Sequence, residues 1–288
     1  MGSIPEKKNE VLDMKLGSTV EIFAAFGEKR YAMMKKYGFD YADCYFDGEL
    51  RGKTEEEYDA SILAEKALAD QSDVTIWQVH GPWRYPPHDE TPEMREERAK
   101  LMRRSIRATA LVGCKYWVIH PLFPFGDCGF DMDSFWKINL DFFKNALVPY
   151  AEQCGVTICF ENMPMKSVTM STTEKSLEFI HMIGSDNVKL CLDTGHEAVF
   201  GLSPADAVRR AGKDLKVLHV HDNNGKYDQH LVPLMGVIDF KEFGKALKEI
   251  EFDGVFSLEL DLSNFLPGAE RETKIKAIRA ILEDILPE

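Results

Sequence analysis

The chain has 288 residues, of which 44% are hydrophobic and 29% charged, an ordinary globular composition that is neither fibrous nor disordered. Its 35 Lys and Arg stand against 48 Asp and Glu, and a formal net charge of −13 argues against a nucleic-acid partner, because proteins that neutralise many phosphates carry a basic face. The 6 cysteines form no CxxC pair and are expected reduced, and no apolar run approaches the roughly 18 residues of a membrane span.

Residues 1–13 are polar and charged, without the apolar stretch of a signal peptide. They are expected to form a loose arm ahead of one domain over 14–288, with a cytoplasmic location. From Met14 onward a short apolar run followed by a longer amphipathic one recurs eight times. Strands are predicted at Met14–Val20, Phe39–Tyr45, Val74–His80, Lys115–His120, Val156–Glu161, Val188–Asp193, Lys216–His221 and Val255–Leu260. The helices between and after them are predicted at about 28–37, 54–70, 92–112, 132–154, 172–183, 203–212, 239–250 and 269–286. Cap signals mark several starts: Thr54 with Glu57, Thr91 before Pro92, and Ser203 before Pro204. Eight β-then-α units with short connections predict a single (β/α)8 barrel, a TIM barrel, with an open doubly wound sheet as the alternative.

In such a barrel the chemistry sits at the C-terminal ends of the strands. Six consecutive predicted strands end in ionisable or metal-binding side chains. Strand three ends at His80, strand four at His120, strand five at Glu161-Asn162 and strand six at Asp193-Thr194-Gly195-His196. Strand seven ends at His219-Val220-His221-Asp222, with Asp228-Gln229-His230 in the next loop, and strand eight carries Glu259. Carboxylates converging on one axial volume repel each other, and a divalent cation relieves that repulsion. Mixed His and carboxylate ligands suit Mn, Mg, Zn or Fe. The loops after strands three and four offer aromatic walls, with Trp83 and Phe123 the expected substrate contacts. No Walker, GxGxxG or GxSxG motif is present, so no nucleotide cofactor or serine nucleophile is indicated.

In this order, Phe160-Glu161-Asn162, Leu192-Asp193-Thr194-Gly195-His196 and His219-Val220-His221-Asp222 with Asp228-Gln229-His230 resemble the xylose isomerase-like TIM barrels. That superfamily joins sugar isomerases and epimerases with endonuclease IV. The resemblance to its ketose 3-epimerases implies one divalent ion, Mn first and Mg, Co, Fe or Zn as alternatives, on Glu161, Asp193, His219 and Glu259. It makes His221 a neighbour of that centre and His196 a partner of a substrate hydroxyl. The resemblance to endonuclease IV implies extra zinc ligands at His80, His120, His196, Asp228 and His230. Three positions depart from the epimerase pattern: Ser167 and Gly225 stand where a substrate-binding Glu and Arg are expected, and Met235 replaces a loop Glu. Lys226 is the nearest stand-in for the arginine.

The implied reaction is proton transfer at a carbon beside a carbonyl, through an enediolate that a divalent ion lowers in energy. Glu161 and Glu259 are the expected acid–base pair, one on each side of the substrate. The expected partner is a sugar or sugar phosphate, with no membrane and with a homodimer as the common closed assembly. The alternatives are an endonuclease IV-like zinc phosphodiesterase on abasic DNA, an inosose dehydratase-like lyase sharing the same first proton transfer, and a sugar-binding barrel without catalysis.

Overall fold

The computed structural model describes residues 14–46, 52–82, 91–122, 132–166 and 169–286. Eight parallel strands run β1 Lys15–Thr19, β2 Tyr41–Tyr45, β3 Thr75–His80, β4 Tyr116–Ile119, β5 Thr157–Glu161, β6 Val188–Asp193, β7 Leu215–His219 and β8 Val255–Leu258. Each pairs with its sequence neighbours, and β1 pairs with β8. The remaining gap is closed just past β7, where Val220 N–H donates to Ser257 O at 2.8 Å and Glu259 N–H donates to Val220 O at 3.1 Å. The protein is therefore a single (β/α)8 barrel and not an open sheet.

The outer helices are α1 Arg30–Lys36, α2 Glu55–Gln71, α3 Pro92–Leu111, α4 Met132–Phe142, α5 Val148–Cys154, α6 Thr173–Ile183, α7 Thr194–Val199, α8 Pro204–Ala211, α9 Phe240–Glu249 and α10 Arg271–Ile285. The expected caps form: Thr54 and Glu57 make a reciprocal capping box, and Thr91 and Ser203 accept backbone N–H groups of Met94 and Asp206. Three elements differ from the sequence reading. The helix expected over 132–154 carries a wide turn at Phe143–Leu147, just before Pro149. Proline has no N–H to return to a carbonyl four residues back, so the turn there opens. A 3-10 segment, Val20–Lys29, fills the connection expected to be short after β1, and turns at Gly27, whose φ is 56°. Helix α7 begins directly at the end of β6, within a motif whose polar residues mask its helical pattern. The expected arm at 1–13 lies outside the described residues.

Apolar side chains between strands and helices form the main core. A second, smaller cluster, Val118, Cys159, Cys191 and Val217, sits two residues before His120, Glu161, Asp193 and His219. Residues two apart on a strand share a face, so this cluster fills the barrel interior beneath the polar strand ends. The buried cysteines are thus small apolar packing groups, and the described ones are all unpaired. Among the described residues no helix is long and apolar enough to cross a membrane.

Candidate active site

Glu161, the last residue of β5, is 1% exposed and is the hub of the strand-end cluster. Its Oε1 lies 2.8 Å from His219 Nδ1, and its Oε2 lies 3.0 Å from His120 Nε2 and 3.3 Å from His80 Nε2. His219 Nδ1 is also 3.1 Å from Glu259 Oε2, so the two glutamates converge on one imidazole nitrogen. Glu161, Asp193, His219 and Glu259 each offer one ligand atom, all within 4.8 Å of one another. The four expected ligands are therefore brought together.

Asp193 ends β6 and starts α7, where its Oδ1 accepts from His196 N–H at 2.7 Å. Asn162 holds it from the other side: Asn162 Oδ1 accepts from Asp193 N–H at 2.8 Å, and Asn162 Nδ2 donates to Asp193 O at 3.1 Å. A second cluster lies alongside, made of His196, His221, Asp228 and His230. Asp228 Oδ2 is 3.2 Å from His196 Nε2 and 3.3 Å from His230 Nε2, while His221 stacks on His230 with ring centroids 4.0 Å apart. His221 Nε2 also lies 3.0 Å from both Asp193 oxygens, tying the two clusters together. His80 and His120 form a third group with Glu161.

The electrostatics follow from carboxylates drawing protons onto buried imidazoles. Burial pulls His219 down, but Cys191, Glu259 and Glu161 outweigh it and hold the imidazole well above its ordinary range. Burial likewise disfavours charged His196 and His230, yet their carboxylate neighbours raise them to about 10 and about 9. Burial alone would raise Glu161, but His219 and His120 hold it well below the usual carboxylate range. For His120 burial wins over Glu161 and lowers it. These imidazolium charges neutralise the carboxylates where a divalent ion would otherwise do so. The buried Glu161 Oε2 has no well-aligned hydrogen bond despite its close imidazoles. Such an oxygen, within an O and N donor set of this size, fits a divalent ion bound by Glu161, Asp193, His219 and Glu259.

Sequence reasoning passed over two residues that support His219. Asp43 in β2 is 3% exposed, and its Oδ2 lies 3.0 Å from His219 Nε2. Gln78 in β3 is fully buried and donates to the same Asp43 oxygen at 3.0 Å and to Leu218 O at 3.3 Å. The available signal was a charged residue in mid-strand, which is rarely buried unless paired. Asp222 is a different case: it accepts from the backbone N–H groups of Asn223, Gly236 and Ile238, so it staples the loop after β7. Met235 in that loop is exposed, as is Lys226, the expected stand-in for an arginine. Trp83, Phe123 and Ser167 lie outside the described residues.

A cavity of about 390 Å³ opens over the cluster, lined by Glu21, Asp43, Tyr45, His80, His120, His230 and Glu259 among others. Within the second cluster, Gly195 packs closely on His221, and a Cβ there would lie 1.9 Å from His221 Cε1. Gly195→Ala is therefore expected to push His221 off Asp193 and to cost about 1–3 kcal/mol by overpacking. A thermal melt of the variant that overlays the parent would show that the ring has room after all.

The comparisons with known proteins agree with this fold. An uncharacterised protein of Methanocaldococcus jannaschii is 29% identical over 270 residues, covering 89% of this chain and 87% of that one. A D-psicose 3-epimerase of Enterocloster bolteae is 32% identical over 139 residues, but the match spans only 48% of this chain and 44% of that enzyme. The crystal structure of a D-tagatose 3-epimerase-like protein superimposes with a TM-score of 0.77 at 26% identity, covering 95% of this chain and 98% of the other. Residues 31–285 match the family described as xylose isomerase-like TIM barrel, and the chain belongs to that family.

Proposed function

We propose that this protein is a divalent-metal-dependent sugar isomerase or epimerase that transfers a proton at a carbon next to a ketose carbonyl. The observation that carries this reading is the pair Glu161 and Glu259 converging on His219 Nδ1, one carboxylate buried and the other lining the cavity. Similarity to a D-psicose 3-epimerase and to a D-tagatose 3-epimerase-like protein supports the substrate class.

When bound, a divalent ion would supply Lewis acidity toward the oxygens of the reacting carbons. Glu259, with its side chain 29% exposed, faces the cavity and accepts the proton from carbon. Glu161, buried and meeting the same His219 nitrogen as Glu259, is the second carboxylate of the acid–base pair. Asp43, held by Gln78, orients His219 from the opposite ring nitrogen, Nε2. His80, His120 and His230 line the cavity as partners for substrate hydroxyls.

The cavity also favours an unphosphorylated sugar. Glu21, Asp43, Glu259 and Asp261 line it, and no Lys or Arg does so among the described residues. A phosphate ester would bring a dianion against Asp43, Glu259, Asp261 and Glu21, the last raised to about 7 by burial, with only the raised imidazoles of His80 and His230 to offset them. The first test is solvent-deuterium incorporation, followed by NMR, across free ketohexoses and their phosphates with metal-loaded protein. Incorporation beside the carbonyl of a free ketose is the expected result. Failure with every sugar would overturn the isomerase reading, and incorporation into phosphates alone would overturn the neutral substrate.

The cluster His196, His221, Asp228 and His230, with His80 and His120 beside Glu161, favours a second reading, a multi-zinc phosphodiesterase on abasic DNA. Incision of an abasic duplex that weakens steeply with salt would establish it. An inosose dehydratase-like lyase shares the first proton transfer and differs in expelling water, which the same NMR experiment reads as a new product.

A further inference from the structure

We propose that a second sugar-binding pocket adjoins the reaction cavity, and that the substrate is a ketose carrying a further sugar residue. This rests on the isomerase or epimerase reading of the main site. The pocket, about 320 Å³, lies between the segment after β1, the end of β2 and α2. Glu21, Ala24, Arg30, Tyr45, Ser61 and Glu65 are among its lining residues. Glu21 and Tyr45 line the reaction cavity as well, so these two side chains form the partition between the two spaces. Each space is at the small end for a ligand site, and together they suit a ligand larger than one sugar.

The chemistry of the pocket selects a neutral, hydroxyl-rich ligand. Arg30 is neutralised within the protein: its Nε donates to Glu65 Oε1 at 3.0 Å, its Nη2 pairs with Glu65 Oε2, and its Nη1 donates to Gly27 O at 3.0 Å. Glu65 Oε1 also accepts from Tyr31 O–H at 2.8 Å, which fixes the carboxylate in place. The guanidinium retains unused N–H donors and the carboxylate retains lone-pair capacity, so the pair offers both kinds of hydrogen bond with little net charge. An anion would meet Glu65 and Glu21, and an apolar group would strand the remaining polar atoms. Tyr45, 42% exposed, offers an aromatic surface at the partition of the kind that packs on the C–H face of a sugar ring. No histidine lines this pocket among the described residues, which makes it a place to hold the distal residue and not a second reaction centre.

The experiment compares fructose with three reducing glucosyl-fructoses, linked through O4, O5 or O6, on metal-loaded protein. Binding is followed by NMR titration, independently of turnover, and deuterium exchange is followed in parallel. At least one disaccharide is expected to bind about tenfold more tightly than fructose. Ala24→Trp fills the pocket from an exposed position outside the Arg30–Glu65 pair, and Ser61→Phe fills it from α2. Either is expected to reduce the disaccharide-to-fructose affinity ratio toward one. If every disaccharide binds no better than fructose to the parent protein, or both filled variants keep the parent ratio, the second pocket is overturned. If the ratio behaves as expected but no sugar exchanges deuterium, the pocket stands and the isomerase reading falls.

Discussion

Glu161→Gln and Glu259→Gln are each expected to abolish deuterium incorporation beside the ketose carbonyl, with losses on the order of 10²–10⁴-fold or more. Glutamine keeps the shape of glutamate but cannot take up the proton. The two variants should differ in stability, and that difference separates chemistry from folding. Glu161 is buried among three histidines, and its charge holds His80 and His219 above their ordinary ranges. Removing the charge takes the carboxylate from His80 and leaves His219 with only Asp43 and Glu259, so Glu161→Gln should also lower the melting temperature of metal-free protein. Glu259 is partly exposed on the cavity wall, and Glu259→Gln should melt close to the parent. Metal content measured on each variant, and activity retested with excess metal, distinguishes a lost base from a lost ligand. Retained exchange in both variants would sink the acid–base assignment.

Much of this architecture was legible because strand and helix periods alternate so regularly. The eight apolar runs register as parallel strands because each is covered on both faces, and their polar termini mark the catalytic end of the barrel. The bounds fail where tertiary contacts decide them. Strand seven is expected to run to His221; its ladder to β6 ends at His219, and Val220 continues as a parallel bridge to Leu258 that closes the barrel. Helix α7 was missed because Thr194-Gly195-His196 reads as a loop, and only the packing of Gly195 on His221 explains its compactness. The four expected ligands were legible by position, whereas Asp43 and Gln78 were not. Their importance arises from a cross-barrel approach to His219 and Leu218, which no local pattern records. The resemblance makes His221 only a neighbour of the implied metal centre. In three dimensions it joins Asp193 to the Asp228 and His230 group.

Stripping divalent ions is expected to destabilise the fold as well as stop the reaction. Without an ion, three carboxylates converge within the four-ligand group and rely on imidazolium charges for neutralisation. An ion present at about 1,000 times its dissociation constant adds about 4 kcal/mol of stability, which corresponds to a melting shift on the order of 10 °C. The sign with pH is fixed by the raised histidines. His196 and His230 hold protons up to about 10 and about 9, and His219 also titrates well above its ordinary value. A metal ligand must be unprotonated, so loading near neutral pH releases protons, and metal affinity falls as pH falls. A single ion on Glu161, Asp193, His219 and Glu259 requires only His219 to give up a proton. Filling the His196, His221, Asp228 and His230 cluster as well draws further protons from His196 and His230. Calorimetry in two buffers of different ionisation enthalpy counts those protons, and metal analysis counts the ions. About one proton with one ion per chain supports the isomerase centre, whereas about three protons with several zinc ions would move the phosphodiesterase reading ahead of it. An unchanged melting curve after chelation and reloading would remove the metal centre from both.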